Sequence, residues 1–209
     1  MKVLMLNGSP HEHGCTDTAL REVASALEKE GVESEILWVG KGPVRDCTAC
    51  GACRKLGGRC VFDDQVNEAL EKAAAADGFV FGSPVYYAHP SGAALSFLDR
   101  LFYAAGPDVF RLKPGAAVVS ARRGGTTASL DALNKYFLIS GMPIAPSQYW
   151  NMVHGNTPQE VAQDLEGLQI MRTLGRNMAW LIQCIQAGRA AGVLPPEREA
   201  PALRTNFIR

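Results

Sequence analysis

The chain has 209 residues, of which 47% are hydrophobic and 20% charged, as is typical of a globular protein with a sizeable core. Lysine and arginine together number 21, as do aspartate and glutamate, so no net charge favours binding to nucleic acid or to an anionic membrane. No apolar run approaches the roughly 20 residues that span a bilayer, and the apolar start MKVLMLNGSP is too short for a secretory signal peptide. We therefore expect a cytoplasmic protein, in which cysteines act as thiols, metal ligands or redox groups rather than as structural disulfides.

Apolar strands alternate with amphipathic helices along the chain. The first strand is predicted at 2–6, before the turn residues Asn7-Gly8-Ser9-Pro10, and continuous apolar runs or β-rich patterns predict further strands at 34–40, 79–85, 114–121 and 143–150. The prolines of the last segment weaken it as a strand. Helical spacing predicts helices at 16–31, 63–78, 91–105 and 127–141.

A long C-terminal helix is predicted from the sequence TPQE onward, through residue 186. Thr157 is its expected N-cap, Pro158 its first residue and Glu160 the partner in a capping box. Residues from about 190 to 209 form a tail without helical period, which either is disordered or clasps a neighbouring chain.

Strands that alternate with helices, with little hairpin signal, predict parallel strands joined by crossover helices. Five such strands suit an α/β flavodoxin-like sheet of order 2-1-3-4-5 with helices on both faces. Residues 1–209 are expected to form a single flavodoxin-like domain.

Three loops follow the first, third and fourth predicted strands, and ligands of such sheets bind at the carboxyl ends of the strands. The first loop, NGSPHEHGCTDT, is rich in glycine and hydroxyl groups and enters a helix, so it suits a phosphate. It matches neither a nucleoside-triphosphate P-loop nor a dinucleotide fingerprint. The second, GSPVYYAHPSG, bears aromatic side chains suited to a flat heterocycle, and the third, SARRGGTT, places two cations nearby.

These three motifs together, and LGRNMAW near the C-terminus, resemble the NAD(P)H-dependent FMN reductases of the flavodoxin-like superfamily across essentially the whole chain. The resemblance implies that the domain binds FMN, with the phosphate in the first loop and the isoalloxazine ring between the second and third. The implied phosphate-loop residues are Ser9, His11, Cys15, Thr16 and Thr18. The implied ring-loop residues are Pro84, Val85, Tyr86, Tyr87, Ser120, Arg122, Arg123, Gly124 and Gly125.

The implied chemistry is hydride transfer from NAD(P)H to N5 of FMN, followed by electron transfer to a small-molecule acceptor such as a quinone, a free flavin, or a nitro or azo compound. No single residue is predicted to be an essential acid or base. Tyr86, Tyr87 and Arg122 are the expected contacts of the flavin ring. Cys15 departs from the family, where many members carry Asn at this position. The resemblance also implies a homodimer or homotetramer.

Four of the six cysteines lie in one window, CTACGACRKLGGRC, with the spacing C-x2-C-x2-C-x6-C. Cys47, Cys50, Cys53 and Cys60 could hold a [4Fe–4S] cluster, since the first three repeat the spacing of ferredoxin-type runs. A zinc site fits the spacing less well. The segment resembles the cysteine motif of iron–sulfur flavoproteins, a branch of the same superfamily. The alternative is that the thiols pack, line the flavin pocket or form a disulfide in air.

Two functional classes therefore stay open. One is an FMN-dependent NAD(P)H oxidoreductase; the other is an iron–sulfur electron-transfer flavoprotein, for which ferredoxin is a candidate partner. A response-regulator receiver is disfavoured, because Asn7-Gly8-Ser9 and Gly82-Ser83-Pro84 stand where receivers carry acidic residues. His154 is expected on a loop after the last strand, as a surface residue or near a flavin site.

Overall fold

The computed structural model describes residues 1–106, 108–199, 203, 205 and 207. Its strands are β1 (Lys2–Asn7), β2 (Glu33–Trp38), β3 (Gly78–Tyr86), β4 (His89–Pro90), β5 (Gly115–Ala121) and β6 (Met152–His154). Its helices are α1 (Cys15–Lys29), α2 (Gln65–Ala75), α3 (Gly92–Ala104), α4 (Thr126–Ile139), α5 (Pro158–Val161) and α6 (Leu165–Ala190), with a 3₁₀ helix at Ala52–Arg54.

Five strands run parallel in the order β2-β1-β3-β5-β6, and the two-residue strand β4 pairs antiparallel with β3. In terms of the five parallel strands this is the order 2-1-3-4-5, so the predicted flavodoxin-like fold is confirmed. The parallel pairing brings the carboxyl ends of β1, β3 and β5 to one edge of the sheet.

Both faces of the sheet are covered by helices. Successive side chains of a strand point to opposite faces, so Phe79 and Phe81 of β3 join one buried cluster while Val80 joins the other. The phenylalanine side packs against α2, α3 and α4, and the valine side packs against α1 and α6. Burial on two faces explains why the strands read as continuous apolar runs.

The prediction of a strand at 143–150 is wrong. The fifth parallel strand is β6, which pairs with β5 through Val119–Met152, Ser120–Val153 and Ala121–His154. The segment before it contributes one isolated bridge, Gly115–Ile144. Pro143 and Pro146 have no N–H to donate, so the chain cannot continue a ladder through them.

The prediction of one continuous C-terminal helix is also wrong, although its start is right. The Thr157 hydroxyl accepts from the Glu160 N–H at 3.2 Å, as a capping residue does, while the Glu160 carboxylate accepts from Asn156 N–H at 2.7 Å rather than from Thr157. A second N-cap, Asp164, accepts from the Gly167 N–H at 2.9 Å and begins α6. Two caps seven residues apart therefore divide the predicted helix.

The beginning of the predicted tail lies against its own chain. Arg111 donates from Nη2 to the Pro196 carbonyl at 2.6 Å, after α6 has ended at Ala190. Residues 200–202, 204, 206 and 208–209 of the predicted tail lie outside the described residues. Within the part of the chain that is described, no helix is long and apolar enough to cross a membrane.

Candidate functional site

The loop after β1 is wound around its own polar side chains. Asn7 is fully buried; its Nδ2 donates to the Glu12 carbonyl at 2.9 Å and its Oδ1 accepts from the Ser9 N–H at 3.1 Å. Ser9 Oγ accepts from the His11 N–H at 3.1 Å. The loop is therefore held in shape by its own hydrogen bonds.

This loop leads into the uncapped start of α1. The N-cap residue is Gly14, which has no side chain to accept from the first turn. The first N–H groups of a helix have no intrahelical partner, and together with the helix dipole they favour an anion. The backbone here is thus arranged to receive a phosphate.

The side chains predicted beside that phosphate are engaged with protein partners. Thr16 Oγ1 lies 2.8 Å from Ser120 Oγ, and Thr18 Oγ1 donates to the Gly14 carbonyl at 3.1 Å. The Cys15 thiol donates to the Gly155 carbonyl at 3.5 Å, and burial raises the pKa of this thiol, which keeps it neutral. His11 is exposed. The anion-binding character of the loop therefore comes from its backbone more than from these side chains.

The loop after β3 is a tight hairpin that the sequence did not predict. Val85 pairs with Pro90 and Tyr86 with His89, and the two connecting residues Tyr87 and Ala88 have φ of 51° and 62°. Positive φ at both positions is the geometry of a type I′ turn, for which Asn-Gly is preferred. Such strain in residues other than glycine often marks a functional site. Tyr86 and Tyr87 are 44% and 97% exposed, so the hairpin presents aromatic surface to a ligand.

The end of β5 and the loop after it contact the start of α1 and the hairpin. Gly125, the N-cap of α4, has φ of 91°, and a Cβ there would lie 2.7 Å from Ala88 Cα and 2.9 Å from a methyl carbon of Val85. Ser120 is bonded to Thr16, and Pro84 is paired with Ser120 in the sheet. The three predicted loops therefore converge; together we call them the strand-end site.

Cations line the rim of the strand-end site. Arg122 and Arg123 are exposed between β5 and α4. The one carboxylate in the first turn of α1, Asp17, is paired with Arg21 Nε at 2.6 Å. The expectation that His154 lies on a loop is wrong: it is the last residue of β6 and pairs with Ala121 at the end of β5, so it lies at the same sheet edge. Its backbone N–H donates to Asp164 Oδ2 at 2.7 Å. The exposed guanidinium groups of Arg122 and Arg123 are suitable partners for an anionic ligand.

Trp38 was not identified from the sequence, although it supports the strand-end site. It ends β2, and its indole Nε1 donates to the Ser9 carbonyl at 2.8 Å. Its own carbonyl accepts from Gln65 Nε2 at 2.7 Å. Its place at the carboxyl end of a strand was the available signal.

The cysteine segment, residues 47–60, lies over α3. Its cysteines are all free: Cys53 is buried, Cys47 and Cys60 are half-buried, and Cys50 is exposed. All four line one cavity together with Arg100 and Phe62. Hydrogen bonds from the Ala52 N–H and the Thr48 side chain lower the pKa of the Cys50 thiol. The segment therefore places all four thiols in the lining of the same cavity.

Polar side chains hold the end of this segment. Asn67, buried in α2, accepts from the Cys60 N–H at 2.8 Å and donates to the carbonyls of Cys60 and Phe62 at 3.1 Å each. Arg100 is 1% exposed and makes a bidentate pair with Asp64, at 2.7 and 2.8 Å. Burial alone would raise the pKa of Asp64, but the hydrogen bonds from Arg100 and Val66 outweigh it and lower the pKa.

The four thiols of the cysteine segment are suitable ligands for an iron–sulfur cluster, but they are not close enough together in this structure to bind one. Four free thiols on a loop are a suitable ligand set. The backbone has positive φ at Ala49, Gly51, Gly57 and Gly58, which permits sharp turns between the ligands. The shared cavity measures about 20 Å³, and in the described residues no three Cys, His, Asp or Glu side chains are near enough to hold a metal ion. The sulfur atoms would have to rearrange to bind a cluster.

Comparison with known proteins identifies related chains. The sequence profile of NADPH-dependent FMN reductases matches residues 1–157. An iron-sulfur flavoprotein of Methanocaldococcus jannaschii is 31% identical over 193 residues, which are 89% of this chain and 100% of that one. An iron-sulfur flavoprotein of Methanosarcina thermophila is 26% identical, covering 90% of this chain and 99% of its own. An FMN-dependent NADPH-azoreductase of Staphylococcus aureus is 26% identical over 62% of this chain and 64% of its own.

Solved structures share the fold at low identity. RosB, solved with a bound riboflavin-phosphate intermediate, superposes with a TM-score of 0.70 at 18% identity, over 100% of this chain and 96% of that one. A flavodoxin from the Archaea superposes with a TM-score of 0.59 at 15% identity, over 88% of this chain and 99% of its own. At these identities the likeness supports the flavodoxin-like fold alone.

Proposed function

Because the chain belongs to the NADPH-dependent FMN reductase family, we propose that it is an FMN-binding electron-transfer protein that also carries a [4Fe–4S] cluster on Cys47, Cys50, Cys53 and Cys60. The observation that carries the proposal is the lining of one cavity by all four free cysteines. Support comes from a relative that is 31% identical along its full length and is named an iron-sulfur flavoprotein.

The FMN phosphate would lie at the uncapped start of α1. Backbone N–H groups of this turn would donate to it, since Gly14 contributes no side chain that competes for them. No unpaired carboxylate opposes it in the first turn, since Asp17 is bound by Arg21. The neutral Cys15 thiol adds no repulsion, because burial raises its pKa.

The flavin ring would lie between the exposed tyrosines of the hairpin and the loop after β5. Bound FMN supplies a ring that accepts and releases electrons and hydride. Tyr86 and Tyr87 offer flat apolar faces for stacking. Arg122 and Arg123 place positive charge near a ring that becomes more anionic on reduction, so they favour its reduced form.

A second candidate function is NAD(P)H oxidation by bound FMN, with electrons passed on to a quinone, a flavin, or a nitro or azo compound. It is favoured by the family match over residues 1–157 and by the relative named an azoreductase. The two functions differ in the electron donor: NAD(P)H for the reductase, and a one-electron carrier such as ferredoxin for the electron-transfer protein. For either function we propose a homodimer or homotetramer of this chain.

An anaerobic reductive titration separates the two functions. Protein reconstituted with FMN is titrated with dithionite, then tested separately with NADPH and with reduced ferredoxin. We expect more electrons to be taken up per chain than FMN alone accepts, with fast reduction by ferredoxin and slow reduction by NADPH. Uptake equal to that of FMN alone, with rapid NADPH oxidation, would favour the second function. Protein that binds no FMN under these conditions would contradict both.

A further inference from the structure

Arg100 is a buried cation in the wall of the cysteine cavity. It lies on α3 among Phe97, Leu98 and Leu101, which are all buried, and it is 1% exposed. A charged residue on the apolar face of a helix is uncommon unless it has partners. Arg100 is therefore expected to have polar partners inside the protein.

The guanidinium group uses every N–H that it has. Nη1 donates to Asp64 Oδ2 at 2.7 Å and to the Arg45 carbonyl at 3.4 Å, and Nη2 donates to Asp64 Oδ1 at 2.8 Å. The remaining two N–H groups, on Nε and Nη2, point to Cys60 Sγ at 3.4 and 3.3 Å. These five contacts account for the five donors of an arginine. The side chain is thus held in a single orientation with two donors on one sulfur atom.

The aromatic ring of Phe62 packs against the guanidinium groups of Arg100 and Arg45. The Phe62 ring lies 5.1 Å from the Arg100 guanidinium carbon and 4.9 Å from that of Arg45. Such contacts add attraction between cation and ring. A guanidinium group is not deprotonated in proteins, so Arg100 is a buried positive charge.

Stability alone does not explain a buried ion pair. Replacing such a pair by apolar side chains of similar size is often neutral or stabilising. The Asp64 carboxylate would neutralise the charge of Arg100 without any contact to a sulfur atom. The two N–H groups directed at Cys60 are the part of the arrangement that the ion pair with Asp64 does not account for.

The cysteines differ in this respect. The Cys53 thiol donates to the Tyr103 carbonyl at 3.8 Å, whereas the Cys60 sulfur accepts from a cation. Hydrogen bonds to cysteine sulfur atoms and nearby charge set the reduction potential of an iron–sulfur cluster. Donors and positive charge stabilise the more negative, reduced form.

We propose that Arg100 is the positioning residue of Cys60, which fixes this sulfur with two N–H donors and makes a cluster bound there easier to reduce. The redox part, which is the effect on the cluster potential, rests on the proposed function. The structural part, which is the positioning of Cys60 by Arg100, concerns the iron-free chain and does not depend on the cluster.

The test compares Arg100→Met and Arg100→Lys with Asp64→Asn. Arg100→Met removes both the charge and the N–H donors, while Arg100→Lys keeps the charge but loses the paired donors. Asp64→Asn is the contrasting variant, because it removes the negative charge of the ion pair while Arg100 keeps its charge and both N–H donors for Cys60. The cluster and flavin potentials of anaerobically reconstituted full-length protein are measured by titrations followed by electron paramagnetic resonance and absorbance.

We expect Arg100→Met to lower the reduction potential of the cluster by at least about 59 mV, which is a tenfold shift of a one-electron equilibrium toward the oxidised form. Arg100→Lys should give a smaller shift in the same direction. Neither variant should move the flavin potential, and Asp64→Asn should not move the cluster potential toward the oxidised form. An unchanged cluster potential in Arg100→Met, or an equal shift in Asp64→Asn, would overturn the redox part.

Hydrogen exchange on iron-free protein tests the structural part. Peptides that cover residues 44–62 should exchange at least tenfold faster in Arg100→Met than in wild type, with smaller acceleration in Arg100→Lys. If Arg100→Met does not fold, the Arg100→Lys comparison carries the test. Unchanged exchange in the folded variants would overturn the positioning role. Wild-type protein that takes up no iron would instead refute the proposed function, whatever the exchange shows.

Discussion

Thr16 and Ser120 join their hydroxyl groups across the sheet edge, with 2.8 Å between Oγ1 and Oγ. Both residues are buried; Thr16 lies in the first turn of α1 and Ser120 near the end of β5. The bond fixes the start of α1 relative to the end of β5, so the proposed phosphate and ring regions of the strand-end site are held at a set separation.

Thr16→Val removes this bond while it keeps the shape of the side chain. Ser120 Oγ then loses a buried partner, which costs about 1–3 kcal/mol. We expect the free energy of unfolding in urea to fall by that order and FMN to bind more weakly. Thr127→Val, at an exposed position of α4, is the control and should change neither quantity. Equal stability of the two variants would contradict this role.

Gly125→Ala tests the contact between the hairpin and the loop after β5. The added Cβ would lie 2.7 Å from Ala88 Cα, and the φ of 91° is unfavourable for alanine. We expect FMN affinity, measured by quenching of flavin fluorescence, to fall at least tenfold because the hairpin is displaced. Gly31→Ala, after the end of α1, is the matched control, since its φ of 74° is also positive but a Cβ there meets no atom within 4 Å. If both variants bind FMN like wild type, the hairpin does not form the ring site.

Trp38→Phe removes the N–H that donates to the Ser9 carbonyl. An unsatisfied loop carbonyl costs about 1 kcal/mol, so we expect FMN to bind roughly fivefold more weakly. Riboflavin, which has no phosphate, should be bound equally by wild type and variant. Trp180→Phe, at an exposed site of α6, controls for loss of an indole. Equal weakening for riboflavin and FMN would place the effect outside the phosphate loop.

Glu35 gives a prediction of acid sensitivity. Hydrogen bonds from Lys2 and Lys72, both at 2.5–2.6 Å, lower the pKa of its carboxyl group. A lowered folded-state pKa means that the contribution to stability is present above the unfolded pKa of about 4.3 and is lost as the pH falls through the lower, folded-state value. Thermal unfolding from pH 6 down to pH 3 should therefore show a smaller loss of stability in Glu35→Gln than in wild type. Glu28→Gln, on the exposed side of α1, should follow the wild type; parallel curves for all three proteins would refute the coupling.

The sequence allowed the convergence of the three loops to be predicted, because parallel strands end at one edge and each loop could be located after a strand. It did not reveal the hairpin, because Tyr87-Ala88 lacks the residues that a type I′ turn prefers. The fifth strand was misplaced because an apolar segment with prolines was taken in preference to the short Met152–His154. The Arg100–Cys60 contact joins residues 40 positions apart, and a charge on the apolar face of α3 was its one available signal.

The proposed cluster on the cysteine segment, in a chain that also binds FMN, is tested most directly by metal content. Iron, acid-labile sulfide and FMN are measured in protein purified anaerobically, together with Cys50→Ser and Cys184→Ser. We predict iron and sulfide at about four of each per chain in wild type and in Cys184→Ser, where the changed cysteine lies on α6. Cys50→Ser should lose most of both and keep FMN. FMN without iron or sulfide in all three proteins would contradict the claim.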